Sequence, residues 1–363
     1  MLLLLSVLLV ALVFEYINGF HDTANSIAMG VSTKALSPRM ALLMAASMNL
    51  IGALVGTAVA KTITSGLVDA QFVSTTTIIC ALLGAIIWNL VTWWFGLPSS
   101  SSHALVGGLC GATLASAGDN WSAIIWAHGG GAHWWENSGI LYKVVIPMLL
   151  SPLLGFAVGL VVMSLLYLLL HSWRPRTVNR TFKTLQWFSG SYMGFSHGTN
   201  DAQKTMGIIA LALAAAVKAG TLAQLPEWLD FLRHPMVLTT DGKEVIAPWI
   251  KVVCALTMAA GTAAGGWRII RTMGQKMVKI LPVNGFAADF AAASVLMTAA
   301  QFGMPVSTTH AVTTSVMGVG CAKRFSALKL NVIQRIIWAW LLTLPVTGLL
   351  GYGLLRLAQV LGG

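Results

Sequence analysis

The chain has 363 residues, of which 56% are hydrophobic and 9% charged, and its formal net charge is +11. Soluble domains carry roughly a quarter charged residues, so this composition excludes a soluble enzyme and describes a polytopic helical membrane protein. The positive balance does not point to nucleic acid, because Lys and Arg fall in short loops between apolar runs, where they set orientation in a bilayer.

The first 13 residues are apolar and run straight into Glu15 and the polar stretch from Asn18 to Asn25. They lack the basic start and small-residue cleavage site of a removed signal, so they read as part of a first span. Further apolar segments follow near 40–60, 74–95, 97–117, 143–170, 184–219, 248–267, 285–301, 304–321 and 333–361. Several exceed the roughly 20 residues that a span requires. Others are interrupted by Gly, Pro or polar clusters.

These segments form two sets of five. An odd number per set makes the second set run in the opposite sense. The expectation is an all-α polytopic fold of two inverted-topology repeats, residues 1–170 and 184–363, each of about five membrane segments with broken helices and helical hairpins. A basic linker, 171–183, joins them, and the extra polar loop 220–247 lies in the second. Loops 34–39, 171–183, 268–279 and 323–335 hold fourteen of the 22 Lys and Arg, including Lys279, whereas 61–73, 119–142 and 218–247 hold four, including Lys243. The bias makes the first set of loops cytoplasmic and leaves both termini outside. It also requires residues 97–140 to cross overall, as a broken hairpin plus another element. Cys80, Cys110, Cys254 and Cys321 lie in or beside apolar segments without a Cys-x-x-Cys spacing, so they read as reduced packing residues.

Two motifs occur once per half. Gly-Leu-Pro-Ser-Ser-Ser-Ser-His at 96–103 matches Gly-Met-Pro-Val-Ser-Thr-Thr-His at 303–310, which pairs Ser101 with Thr308 and Ser102 with Thr309. Earlier in each half, Asn18-Gly-Phe-His-Asp-Thr-Ala-Asn25 faces His197-Gly-Thr-Asn-Asp-Ala-Gln-Lys204, matching Asp22 with Asp201 and Asn25 with Lys204. A third, weaker echo is Pro152-x-x-Gly155 against Pro345-x-x-Gly348. Hydroxyls and carboxylates are costly in a bilayer unless they serve a polar cargo. A lone hydroxyl such as Ser47 or Thr57 bonds its own helix, but a cluster repeated between Pro and His asks for a ligand.

Asp22 and Asn25, like Asp201 and Lys204, are three apart and share a helix face. Gly19 and Gly198 suggest helix breaks just before each Asp. The Pro-to-His clusters suggest two more helix starts, with Pro in the first turn and Ser or Thr capping. Four helix N-termini would then converge on a midplane oxyanion. His103 and His310 are expected to orient the hairpins through hydrogen bonds. Glu15 and Asp289 are further intramembrane acids, either proton carriers or partners for a basic group or helix end. Arg268, Arg271, Lys276 and Lys279 read as a membrane-surface helix rather than a gate.

At these residues the chain resembles the inorganic phosphate transporter (PiT) family, over nearly its whole length and with four motifs in order. The resemblance implies phosphate carriage by alternating access with cation coupling, in a plasma (inner) membrane, by a homodimer in contact with the lipid bilayer. It places Asp22, Asn25, Asp201 and Lys204 at signature positions and Ser101, Ser102, Thr308 and Thr309 at hairpin positions. His21, Thr23, Asn200, Ser100 and Ser307 flank them as secondary candidates. Sodium-coupled members tend to have Asn before each Asp and Asn three after it. Here His21 precedes Asp22 and Lys204 follows Asp201, as in the bacterial branch associated with protons and metal–phosphate.

Two carboxylates beside a phosphate clash unless a proton or cation lies between them. A proton, a divalent metal held by Asp22 and Asp201, or sodium would each do, and each would travel with the substrate. Asp22, Asp201, Lys204, Glu15 and Asp289 are the coupling candidates, and no resident cofactor or enzymatic activity is expected. Sulfate is the same-class rival, but it has no proton to donate to a carboxylate near neutrality. A passive anion channel fits poorly with an acid at the centre of each half. A phosphotransferase acting through His103 or His310 lacks any nucleotide-binding motif.

Overall fold

The computed structural model describes residues 2–362 apart from 132, 224, 240, 241, 243, 279 and 325–327, so Lys243 and Lys279 lie outside the described residues. The first half folds as α1 (Leu2–Ser32), α2 (Pro38–Ala53), α3 (Ala58–Ser65), α4 (Thr75–Trp94), α5 (Ser101–Ser116) and α6 (Ile146–Leu170). The second half folds as α7 (Pro175–Lys218), α8 (Pro248–Ala264), α9 (Trp267–Arg271), α10 (Pro282–Gln301), α11 (Thr308–Cys321) and α12 (Leu330–Gly362). One short hairpin, β1 (Met236–Leu238) with β2 (Glu244–Ile246), pairs Val237 with Val245 inside the long polar loop. Among the described residues, five helices are long and apolar enough to cross a membrane, and seven if each of two bent pairs counts as one span. Every apolar segment expected from the sequence is helical over most of its length.

The broken helices are not where Gly19 and Gly198 suggested. α1 and α7 run unbroken through Asp22 and Asp201. The breaks fall instead between α2 and α3, bent by 67°, and between α8 and the turn ending at Lys276, bent by 58°. The two glycines allow close helix crossing. A Cβ on Gly19 would lie 2.5 Å from Met258 O of α8, and one on Gly198 would lie 2.8 Å from Asn49 Cα of α2. The crossings mirror each other: α1 packs on α8 as α7 packs on α2.

Two other expectations change. In residues 97–140 the long helix is α5, preceded by an irregular stretch from Leu97 to Ser100, and the described residues of 117–140 form short 3₁₀ turns and isolated bridges rather than a second long helix. The stretch 171–183 is already helical from Pro175, so the expected linker is largely the first turns of α7.

The third echo marks how the hairpins dock. Gly155 of α6 faces α11, where a Cβ would lie 2.7 Å from Ala311 O, and a Cβ on Gly111 of α5 would collide with Gly348 of α12. Small residues let these backbones approach without any water-driven force in lipid. Each hairpin helix therefore packs on the last helix of the other half. The basic turn at α9 lies against aromatic rings, with Arg268 4.2 Å over the Trp94 ring and its Nη1 donating to Trp94 O at 2.6 Å.

Candidate substrate site

Four helices bring the repeated motifs together. α1 supplies Asp22 and Asn25, and α7 supplies Asp201 and Lys204. α5 and α11 present Ser101, Ser102, Thr308 and Thr309 from their first turns, and all eight residues are buried. Ser100 and Ser307 are the N-caps, accepting from His103 N at 3.2 Å and His310 N at 3.1 Å. Pro98 and Pro305 each lie two residues ahead of the cap, outside the helix, not in its first turn. Among the described residues, α5 and α11 alone therefore aim N-termini at the site, two rather than the four expected. Their first N–H groups have no partner within their own helix and favour an anion.

The hydrogen bonds cross-link the motifs. Asn25 Nδ2 donates to Thr308 Oγ1 at 3.2 Å and to Thr309 Oγ1 at 3.1 Å. Thr308 Oγ1 donates to Asp201 Oδ2 at 3.0 Å, and Thr309 Oγ1 to Asp22 Oδ1 at 3.4 Å. Lys204 Nζ contacts Asp201 Oδ1 and Ser102 Oγ, and donates to Val306 O at 3.2 Å. Ser101 Oγ is buried without a protein partner. The mirror fails where charge is balanced: α11 hydroxyls meet both acids, whereas the α5 hydroxyl of Ser102 meets Lys204.

Each acid also has an imidazole. His21 Nδ1 lies 2.7 Å from Asp22 Oδ1, and His197 Nε2 lies 3.0 Å from Asp201 Oδ2. His21 is held by Thr92 at 3.2 Å, and Thr92 in turn by Ser99 at 2.8 Å. His197 is held by Asn49 at 3.1 Å. Asp22, His197 and Asp201 each offer a ligand atom, all within 4.8 Å of one another. The donor set, two carboxylate oxygens and an imidazole nitrogen, suits a divalent cation of borderline softness.

The remaining candidates lie further out. Thr23 Oγ1 bonds Gly19 O at 2.7 Å and Thr262 O at 3.2 Å, bracing α1 on α8. Asn200 Nδ2 reaches Met304 O at 3.4 Å, beside the α10–α11 connection. Glu15 is two turns from Asp22 on the unbroken α1 and accepts from Thr205 Oγ1. Asp289 is buried on α10 beside Ser189 of α7, outside the cluster. His103 and His310 do not orient the hairpins through hydrogen bonds. Their rings pack on each other with centroids 4.8 Å apart, and His310 lies against Trp340 at 4.0 Å. His103 Nδ1 and both nitrogens of His310 have no protein partner.

Sequence reasoning passed over His197, Gln203, Asn49, Thr92 and Ser99. His197 was legible, since i and i+4 share a helix face and it precedes Asp201 by four. Gln203 Oε1 accepts from Val59 N at 2.8 Å and Ala60 N at 3.3 Å, capping α3 after its break. Nothing local to residue 203 signals that role.

Residues 18–351 match the model of the phosphate transporter family. The chain is 40% identical over 354 residues to a Bacillus subtilis protein described as a "probable low-affinity inorganic phosphate transporter", covering 96% of each. A Rhizobium meliloti protein of the same description is 42% identical, over 96% of this chain and 94% of its own. A Mycobacterium tuberculosis protein, also so described, is 42% identical over 99% of this chain and 79% of its own. The solved structure titled "The sodium-dependent phosphate transporter" superposes with a TM-score of 0.82 at 22% identity, covering 99% of this chain and 100% of that one. That likeness shows a shared fold.

Proposed function

The chain belongs to the phosphate transporter family, and we propose that it is a secondary active symporter importing inorganic phosphate with protons. Import proceeds by alternating access across the plasma membrane, with both termini outside. One observation carries the reading: two carboxylates, one ammonium, one amide and the hydroxyls of two hairpin helices converge on one buried locus. Phosphate oxygens take hydrogen bonds from Asn25, Lys204, Ser101, Ser102, Thr308 and Thr309 and from the α5 and α11 N-termini. A protonated phosphate oxygen donates to Asp22 or Asp201, which sulfate cannot do near neutrality.

Charge arithmetic supplies the coupling. With the imidazoles of His21 and His197 neutral, Asp22 and Asp201 against Lys204 leave one negative charge before an anion enters. A desolvated anion cannot bind there unless positive charge enters with it. Protons supply it. A divalent metal held by Asp22, His197 and Asp201 supplies it equally, and that triad supports metal–phosphate as the second reading.

Radiolabelled phosphate uptake into proteoliposomes tests the proposal. Accumulation above the external concentration under an inward gradient of protons, or of a divalent metal, is the expected result. No uptake under either condition overturns it. Downhill flux without accumulation indicates a channel, and equal competition by sulfate indicates a broader oxyanion carrier.

A further inference from the structure

A cavity of about 300 Å³ lies between α1, α6, α10 and α11. Its wall includes Met29, Asn284, Val316, Gly320, Lys323 and Arg324. Met29 follows Asn25 by four residues on the unbroken α1, so the two share a face. On α11, Val316 and Gly320 follow Thr309 by seven and eleven residues. At 100° per residue both return to within about 20° of the Thr309 direction. The wall thus continues the two helix faces that carry Asn25 and Thr309, beginning about 10 Å further along α11 at 1.5 Å per residue.

The approach from site to cavity changes in polarity. Thr313, one turn past Thr309, is fully buried and its hydroxyl has no protein partner. Beyond it, Met29 and Val316 are buried apolar side chains, exposed by 1% each. Beyond them the cavity reaches Lys323 and Arg324, both exposed, with no acidic residue among the described residues of its wall. Asn284 contributes an amide whose Oδ1 accepts from Leu281 N at 3.0 Å and whose Nδ2 meets Met163 Sδ at 3.4 Å. The volume holds a phosphate with several waters, each of which occupies roughly 30 Å³.

We propose that this cavity is the inner exit chamber of the transport route, in which Lys323 and Arg324 form a second oxyanion site that receives phosphate once it passes a constriction at Met29 and Val316. The inference rests on the phosphate reading. An anion leaving the buried site must cross a short apolar step, and two cations at the far end lower the cost of doing so. The same site lets internal phosphate act back on the carrier, so exchange should depend on Lys323 and Arg324 from one side only.

The test is phosphate exchange in membrane vesicles of defined orientation, with the full chain and inorganic phosphate varied on one face at a time. Lys323→Gln with Arg324→Gln should raise the half-saturation of internal phosphate at least fivefold and move the external value less than twofold. Lys323→Arg with Arg324→Lys keeps both charges and should behave as the unaltered chain. The proposal is overturned if the internal value stays unchanged, if both faces shift equally, or if the charge-conserving pair is as impaired as the neutral pair. Unaltered vesicles that exchange no phosphate at all would overturn the phosphate reading as well, whereas normal exchange with an unshifted internal value removes only the chamber.

Discussion

Lys204→Met removes the one ammonium of the buried cluster. Its Nζ contacts Asp201 and Ser102 and donates to Val306 O at 3.2 Å, with the side chain 3% exposed. Asp201 would keep Thr308 at 3.0 Å and His197 at 3.0 Å but lose its cation. Breaking a buried pair by deleting one member costs about 3–5 kcal/mol, because the other charge stays desolvated. Phosphate, an anion entering the same locus, loses a charge-assisted donor at the same time. At 1.4 kcal/mol per tenfold, a loss of about 3 kcal/mol is on the order of a 100-fold rise in half-saturation. Proteoliposome uptake measures this, and thermal unfolding in detergent reports the stability side. Asp201→Asn with Lys204→Met removes both members of the pair together, so it should recover most of the lost thermal stability while transport stays impaired. A double-mutant cycle on stability should give a coupling energy of about 2 kcal/mol or more. Lys204→Met with unaltered half-saturation and unaltered melting would refute the charge balance drawn here.

Asp22→Asn should abolish uptake driven by a proton gradient or by added metal; transport equal to the unaltered chain would remove Asp22 from the mechanism. Gly19→Ala puts a Cβ 2.5 Å from Met258 O, a backbone atom that moves only with α8, so a stability loss of about 1–3 kcal/mol is expected in thermal unfolding. A melting point no lower than that of the unaltered chain would show that the α1–α8 crossing is looser than described. Gln203→Ala removes the acceptor of Val59 N and Ala60 N and should cost about 1 kcal/mol. Amide exchange over residues 58–61 reads it, and unchanged protection there would mean another group caps α3.

Much of the architecture was legible because a bilayer leaves few options. Apolar runs of span length must be helices, since lipid offers no partner for backbone N–H and C=O groups. The Lys and Arg bias between the two sets of loops is likewise read from the sequence alone. The candidate site residues stood out in the sequence for a related reason. A carboxylate or a run of hydroxyls is too costly in hydrocarbon to occur twice without a polar cargo, and hydrogen bonds do link Asp22, Asn25, Asp201, Lys204, Ser102, Thr308 and Thr309.

The misplaced helix breaks show where local reading ended. Glycine before Asp22 and Asp201 has two physical meanings, a helix end or a close crossing, and nothing nearby in sequence separates them. The choice was made by α8 and α2, whose backbones press on Gly19 and Gly198 from more than a hundred residues away. His103 and His310 are alike in this respect. Their ring-to-ring contact depends on both hairpins docking on helices of the opposite half, through Gly155 and Gly348. Composition and motif spacing by themselves determined that this chain spans a membrane and which polar groups it cannot afford to leave idle. Only the tertiary structure decided which acid faces which hydroxyl, because those contacts join residues up to 287 positions apart and come from packing rather than local preference.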